Sequence, residues 1–309
     1  MQCPNCNSEK IVKKGKQINK FQEFQKFQCK SCNKYFTNNN IKNKTYDIKI
    51  ILDSLNFYNQ GYSLNTSAET INKKHKISIS PQSIRNWLKE FEELCSFSRI
   101  REKALEYNNP KDMIVKRNFY HNQQPYLYQY HNSKIHFLRK YPKLKNYLLE
   151  IKDNCPNHLF NTNNRCSKEN LNLNLKMRLK NNNACKLTSL VLKSIKDNRK
   201  RHQILQNFML RNDTATIATE VPVYLKLNGK TITGHIDFLQ LRFNKIHILD
   251  YKPEAEKEKH AQSQVYLYAK ALSEITKIPL KYFVCAYFDE KNYFEFSPLE
   301  VFPSQKQMI

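Results

Sequence analysis

Two pairs of cysteines near the start of the chain constrain its folding most. Cys3 and Cys6 form one Cys-x-x-Cys unit, and Cys29 and Cys32 form a second one after 22 intervening residues. A segment this short buries too little apolar surface to fold alone, so a bound metal would supply its stability. Zinc takes four thiolates at the corners of a tetrahedron, and each Cys-x-x-Cys turn offers two. The spacing therefore predicts a zinc site with a hairpin between its halves, rather than free thiols or a redox pair.

The next segment has the spacing of three helices. Residues 46–58 carry apolar side chains at helical intervals, Gly61 interrupts the pattern, and residues 64–75 form a second periodic run. Ser80 and Pro81 begin a third helix, because serine caps a helix N-terminus and proline fits its first turn. We therefore predict a helix-turn-helix after the cysteine segment.

The third helix would have one apolar and one polar face. Its apolar side chains recur at i, i+3, i+4 and i+7, and they are Ile84, Trp87, Leu88 and Phe91. The opposite face carries side chains that can contact base edges and phosphates in a major groove, namely Gln82, Ser83, Arg85, Asn86 and Lys89. The alternative is an ordinary three-helix bundle whose polar face is solvated.

These residues resemble the N-terminal region of many insertion-sequence transposases. Cys-Pro-Asn-Cys at 3–6 and Phe-Gln-Cys-Lys-Ser-Cys-Asn-Lys-Tyr-Phe-Thr at 27–37 look like the zinc ribbon that opens those proteins. Residues 62–88 look like the helix-turn-helix that follows it. The resemblance covers about the first third of the chain and implies DNA binding. Transposition is not implied, because no transposase-like catalytic aspartate segment follows Trp87.

The charge distribution favours the same partner. Residues 216–309 hold 12 Lys and Arg against 11 Asp and Glu, so nearly all of the net charge of +25 lies in residues 1–215. Such an excess predicts a polyanionic partner, with DNA first, whereas uniform compositional drift would not leave the last third neutral. Hydrophobic residues make up 40% of the chain, which excludes full disorder. The sequence contains neither a membrane-length apolar run nor a signal stretch, so we expect a cytoplasmic protein without a membrane partner.

The middle of the chain is the least informative part. Residues 97–150 are basic, and the run at 127–149 has a helical appearance, which predicts a basic, mostly helical connector. Its tyrosines belong either to a core or to a surface that stacks on bases, and the core is favoured.

The neutral last third has the pattern of an α/β domain. Strand-like runs at 221–227 and 231–241 flank Asn228-Gly229, which is the strongest short hairpin signal. A third strand, a helix and a fourth strand follow at 245–251, 261–276 and 282–287. This order predicts an α/β core.

Two aspartates and a lysine occupy informative strand positions. Asp237 lies within the second strand, Asp250 and Lys252 end the third, and Pro253 stops it. Residues i and i+2 of a strand point the same way, so Asp250 and Lys252 share a face. Two carboxylates on adjacent strands make a poor core but a good site for Mg²⁺, and a neighbouring lysine can serve a water or a phosphate. The alternative is a surface Asp–Lys pair.

Three motifs in order resemble the RecB-like branch of the PD-(D/E)XK nuclease superfamily. Gly-His-Ile-Asp at 234–237 fits its G-x-x-D, Leu-Asp-Tyr-Lys at 249–252 fits its D-Y-K, and Gln-Val-Tyr-Leu-Tyr at 264–268 fits its Q-h-x-x-Y helix. The resemblance covers residues 202–287. It implies a restriction-endonuclease-like core that hydrolyses phosphodiesters with Mg²⁺ or Mn²⁺.

The resemblance also implies roles for single residues. The groups that would hold the metal are His202, Asp237, Asp250 and the backbone carbonyl of Tyr251. Lys252 would serve the attacking water, while Gln264 and Tyr268 would contact DNA or brace Lys252. Glu220, before the first strand, fits a loosely kept acidic position. A solvated histidine and an ordinary edge residue are the alternatives for His202 and Glu220.

Some RecB-like nucleases bind an iron–sulfur cluster through one cysteine before the core and three after it. Here Cys155 precedes the core and only Cys285 follows Lys252. A cluster built from Cys155, Cys166, Cys185 and Cys285 is therefore the less favoured alternative.

Together these features predict a multidomain, Mg²⁺-dependent deoxyribonuclease, acting as an endo- or exonuclease. Its parts would be a zinc ribbon (1–40), a helix-turn-helix domain (41–96), the connector (97–150) and a RecB-like nuclease domain (151–309). Two alternatives remain open: a DNA-binding regulator with a vestigial nuclease fold, and a recombination or transposition protein of a mobile element.

Overall fold

The computed structural model describes residues 2–18, 23–37, 45–171, 173–174, 177–195, 197–300 and 302–303. It divides into two compact units. The first comprises Met1–Tyr58, Tyr62–Glu90 and Lys193–Lys196, and the second comprises Asn59–Gly61, Phe91–Leu192 and Asp197–Ile309.

The first unit opens with a small antiparallel sheet. Strand β1 (Ile11–Ile18) pairs with β2 (Glu23–Cys29), and β3 (Tyr35–Thr37) adds to the other edge of β2. The predicted hairpin is therefore confirmed. The buried Phe27 ring of β2 stacks on Phe36 of β3, with centroids 5.7 Å apart.

The three helices predicted after it are confirmed. They are α1 (Ile48–Asn59), α2 (Leu64–His75) and α3 (Pro81–Glu90). The Ser80 hydroxyl accepts a hydrogen bond from the Ser83 backbone N–H at 3.2 Å, which is the expected cap of α3. Ile84 and Trp87 are buried, so the apolar face of α3 packs inward as its spacing predicts.

A large mixed sheet forms the second unit. Its order is β4-β5-β8-β9-β10-β11-β12-β7, and all neighbours are antiparallel except β10 and β11, which are parallel. A separate two-stranded sheet joins β6 and β13. In chain order the strands are β4 (Ile114–His121), β5 (Gln124–His131), β6 (Leu173–Asn174), β7 (Arg178–Leu179), β8 (Thr216–Leu227), β9 (Lys230–Arg242), β10 (Lys245–Tyr251), β11 (Phe283–Phe288), β12 (Tyr293–Phe296) and β13 (Phe302–Pro303).

The described part of this unit also contains α-helices. They are α4 (Arg101–Leu105), α5 (Pro142–Asn154), α6 (Asn183–Leu192), α7 (Arg201–Asn212) and α8 (Ala261–Thr276). Helix α8 packs on β8, β10 and β11, and its buried Leu267 and Leu272 belong to the same core as Ile248 of β10. Among the described residues, no helix combines the length and apolarity needed to cross a bilayer.

The prediction of a mostly helical connector at 97–150 is wrong. Strands β4 and β5 form a hairpin that pairs with β8, so this segment extends the large sheet. Tyr126, Tyr128 and Tyr130 recur every second residue, which is the period of a strand, whereas helical spacing begins only in α5. Tyr128 and Tyr130 are buried, which confirms a core role for these two side chains.

A buried lysine fixes the end of α7 against the start of β8. Lys134 follows β5, and its ammonium group donates to the backbone carbonyl oxygens of Leu210, Asp213 and Thr216. Burial lowers the pKa of Lys134 to about 7, although the nearby Asp213 carboxylate opposes that shift. Three acceptors match the three N–H groups of a charged lysine, so this contact orients the two elements that carry His202 and Glu220.

Candidate functional site

The four N-terminal cysteines form one group of sulfur ligands. Their Sγ atoms all lie within 4.8 Å of one another, with Cys3 3.6 Å from Cys32 and Cys6 3.5 Å from Cys29. A Zn–S bond of about 2.3 Å places the corners of a tetrahedron about 3.8 Å apart, so these spacings fit a zinc ion. The group can therefore hold zinc, as the spacing of the two pairs predicts.

Backbone amides around the second knuckle favour the thiolate form. Burial raises the pKa of Cys29, but N–H groups of Cys32 and Ser31 outweigh it and lower the pKa to about 6. The N–H of Lys34 likewise lowers the pKa of Cys32. Deprotonated sulfurs are the form that binds a metal.

The polar face of α3 is exposed as predicted. Gln82, Arg85, Asn86 and Lys89 face solvent and Ser83 is half-buried, while the Gln82 side-chain amide donates to Asn86 Oδ1 at 2.9 Å. Contact of this face with DNA remains a prediction.

A cleft of about 240 Å³ in the second unit collects most of the predicted catalytic residues. The cleft is strongly polar. Its lining residues are Tyr126, Arg165, Ser167, His202, Glu220, Thr233, Gly234, His235, Asp237, Asp250, Lys252, Gln264 and Tyr268.

Strand register brings the two aspartates together. Phe238 of β9 pairs with Leu249 of β10, so Asp237 and Asp250 occupy the next opposed positions. The Asp237 Oδ2 atom accepts a hydrogen bond from the Tyr251 backbone N–H at 3.0 Å. Lys252 lies two residues beyond Asp250, and its Nζ is 2.8 Å from Asp250 Oδ2. The predicted sharing of one face by Asp250 and Lys252 is therefore confirmed.

Close packing of these charges shifts their pKa values. Burial, and then repulsion by Asp237, raises the pKa of Asp250 to about 7 against the opposing effect of Lys252. Burial lowers the pKa of Lys252, but the Asp250 and Asp237 charges outweigh it and raise that pKa overall. A divalent cation between the carboxylates would relieve their repulsion.

His202 comes from the first turn of α7 and reaches the same cleft. Its Nδ1 lies 3.4 Å from Asp237 Oδ2. Burial lowers the pKa of His202, but Asp237, Asp250 and Glu220 outweigh it and raise that pKa overall. The side chain is 44% exposed, but its ring nitrogen contacts Asp237. His202 is therefore not the fully solvated histidine that was the alternative.

Glu220 lies inside β8 rather than before it. The strand begins at Thr216, five residues earlier than the predicted start at 221, and Glu220 has a left-handed φ of 51° within it. Strained backbone of this kind concentrates at functional sites. Gln206 donates to Glu220 Oε1 at 2.7 Å, and burial with repulsion by Asp237 raises the pKa of Glu220 to about 8.

Gln264 and Tyr268 brace Asp250, whereas the sequence predicted that they brace Lys252 or contact DNA. The Gln264 amide donates to Asp250 Oδ1 at 3.1 Å and to the Tyr268 hydroxyl at 2.7 Å. Gly234 is required beside them, because a Cβ at this position would lie 2.3 Å from Tyr268 Cε1. The glycine of the G-x-x-D pattern thus leaves room for the Tyr268 ring.

Five cleft residues were missed from the sequence: Tyr126, Arg165, Ser167, Thr233 and His235. His235 carried a usable signal, because it precedes Asp237 by two strand positions and so shares its face. Arg165 and Tyr126 carried none, since their elements join this sheet only through the tertiary fold.

The donors suit different metals. In the part of the chain that the structure describes, the four N-terminal cysteines are the only group of three or more His, Cys, Asp or Glu side chains with ligand atoms mutually within 4.8 Å. Cys155, Cys166, Cys185 and Cys285 therefore do not form such a group. The cleft side chains are not such a group either, although Mg²⁺ keeps several waters and needs only one or two carboxylates.

Comparison of this chain with protein-family models, with curated proteins and with solved structures finds no match in any of the three.

Proposed function

We propose that this protein is a metal-dependent DNA nuclease that hydrolyses phosphodiester bonds. The observation that carries this proposal is the convergence of Asp237, Asp250 and Lys252 in one polar cleft, with His202 and Glu220 beside them. Buried carboxylates at neighbouring strand positions repel each other and lower the free energy of unfolding. Their presence beside a lysine therefore indicates a functional role. The RecB-like motif order supports the same chemistry.

The cation would be held by Asp237, Asp250 and His202, together with the Tyr251 backbone carbonyl. When bound, Mg²⁺ supplies positive charge that stabilises a phosphate and lowers the pKa of a water. Gln264 holds the orientation of Asp250 through the 3.1 Å hydrogen bond. Lys252, whose Nζ is 2.8 Å from Asp250 Oδ2, would hydrogen-bond the attacking water or a phosphate oxygen.

DNA is the proposed substrate and partner. The cysteine hairpin and the exposed face of α3 would dock on duplex DNA, with Arg85 and Lys89 supplying positive charge. The net charge of residues 1–215 supports a polyanion in preference to a small substrate.

Metal-varied cleavage assays on linear, circular and single-stranded DNA test this proposal. We expect cleavage by the purified full chain with Mg²⁺ or Mn²⁺ and none without an added divalent cation. Cleavage of the circular form would assign endonuclease activity, and cleavage of linear forms alone would assign exonuclease activity. DNA binding without cleavage under every metal would instead support the regulator with a vestigial nuclease fold.

A further inference from the structure

One part of the cleft lining has no role in the proposed metal chemistry. His235 follows Thr233 on the same face of β9, and the Tyr126 ring of β5 stacks on it in parallel, with centroids 3.7 Å apart and planes 6° apart. The Arg165 guanidinium lies over the Tyr126 ring, 5.5 Å from its centroid. We name Arg165, Tyr126 and His235 the arginine stack.

This stack is rigidly supported from behind. His121 lies 2.8 Å from His235 between ring nitrogens, and its other nitrogen is 2.9 Å from Asn157 Oδ1. The Phe160 ring stacks on His121 with centroids 4.1 Å apart.

Among the described residues of the cleft, Arg165 is a cation without an ion-pair partner. Lys252 is already paired with Asp250, whereas within the described part of the chain Arg165 forms no ion pair. Its backbone is tied to β9 by a bridge to Thr233. A half-buried guanidinium on an aromatic ring loses little freedom on binding, and its fork of N–H groups matches the oxygens of a phosphate.

The stack suits a phosphate better than a base. A base-stacking platform needs a free aromatic face, but His235 and Arg165 already cover the Tyr126 ring. The carboxylates around Asp237 attract a cation, so the anionic group that enters the cleft must find its own positive partner beside them.

We propose that Arg165, carried by the arginine stack, binds the DNA phosphate next to the scissile one and so positions the strand across the carboxylates. This role rests on the proposed nuclease function. Arg165 is a positioning residue, because it would contact the strand without touching the reacting atoms.

Binding of a single-stranded oligonucleotide of about 8 nucleotides tests the contact without cleavage. In the full chain carrying Asp250→Ala, adding Arg165→Ala should weaken binding roughly 10- to 100-fold and reduce the salt slope by about 0.7. Arg165→Lys should restore part of the affinity, because it keeps the charge without the fork. Arg178→Ala, which removes an exposed arginine paired with Glu300, is the matched control. Equal affinity and salt slope for the two alanine variants would overturn the proposal, whether or not the protein cleaves DNA.

A substrate with a neutral methylphosphonate beside the mapped cut identifies the phosphate. The wild type should cleave it with a raised KM and a nearly unchanged kcat, whereas Arg165→Ala should not distinguish it from normal DNA. Independent, additive effects of the two changes would refute the assigned phosphate. A wild type that cleaves no DNA would defeat the nuclease function itself, while the binding comparison would still decide whether Arg165 contacts the strand. Thermal unfolding of Arg165→Ala should match the wild type, since the side chain is half-exposed.

Discussion

Substitution of Gly234 by alanine offers a quantitative test of how the cleft is built. The added Cβ would lie 2.3 Å from Tyr268 Cε1 and 3.2 Å from both Cδ1 and Cζ. Ordinary contacts between carbon atoms are about 3.5–4.0 Å, so the ring must retreat by about 1.2 Å or more. Tyr268 is buried, and its hydroxyl accepts a hydrogen bond from Gln264.

This displacement should be costly and should reach Asp250. Overpacking of a buried site costs about 1–3 kcal/mol, and we expect Gly234→Ala to lower the free energy of unfolding by that amount. Because Gln264 bonds both Tyr268 and Asp250, moving the ring by this distance breaks or lengthens one of those two hydrogen bonds. DNA cleavage should therefore fall along with stability.

A double-mutant cycle with Tyr268→Ala isolates the contact. Chemical denaturation at constant m-value gives the free energy of unfolding of each variant. Once the ring is removed, Gly234→Ala should be neutral or stabilising, because alanine restricts the unfolded chain more than glycine does. Gly229→Ala is the control, since Gly229 has open space around it and a φ of 74°, so its cost arises from the backbone in either background. An equal cost of Gly234→Ala with and without the Tyr268 ring would refute the steric reasoning.

Three further predictions concern the zinc group, the buried lysine and the pH dependence of folding. Cys29→Ser or zinc chelation should unfold the cysteine hairpin and weaken DNA binding, measured by circular dichroism and fluorescence anisotropy; unchanged affinity after metal removal would count against the ribbon. Lys134→Met leaves three buried carbonyl oxygens without their donor and should cost about 3 kcal/mol or more in chemical denaturation, whereas the exposed Lys143→Met should cost little. In zinc-loaded protein without Mg²⁺, the folded state holds Asp250 at a pKa of about 7 against about 3.9 for an unfolded aspartate. Asp250 thus holds a proton in the folded chain in that window, so its own contribution to the free energy of unfolding should decrease as the pH rises from about 4 to about 7. Buried histidines with lowered pKa values, such as His131 and His247, act in the opposite direction, so the test is the difference between two profiles. The slope of Asp250→Asn should be more positive than that of the wild type in this window, and equal slopes would contradict the raised pKa.

Local sequence patterns predicted the parts of the fold that depend on local rules. The helix 261–276 and the strand 245–251 match the structure at both ends, because apolar periodicity marks both elements and Pro253 stops the strand. The alternation of Tyr126, Tyr128 and Tyr130 was available as a strand signal, but the helical spacing of α5 that follows obscured it. Position in the sheet was not available, since the pairing of β5 with β8 spans about 90 residues of chain and depends on the whole core.

In the cleft, too, local rules predict some residues and tertiary packing determines the others. Asp237, Asp250 and Lys252 were predictable because strand period and register bring neighbours in one sheet together. The backbone conformation of Glu220 and the bracing of Asp250 by Gln264 depend on tertiary packing, and spacing alone does not specify them. Arg165 reaches the cleft from a segment without regular spacing, so only the folded chain relates it to the carboxylates.

The rate of Mg²⁺-dependent DNA cleavage by Asp250→Ala tests the proposed function most directly. Asp153→Ala is the matched control, because Asp153 is an exposed aspartate that pairs with the neighbouring Lys152. Binding of DNA by both variants, measured in parallel, separates loss of chemistry from loss of substrate. We expect Asp250→Ala to bind DNA like the wild type and to cleave none, while Asp153→Ala retains full activity. Cleavage by Asp250→Ala at the wild-type rate would contradict the assignment of this cleft as a nuclease site.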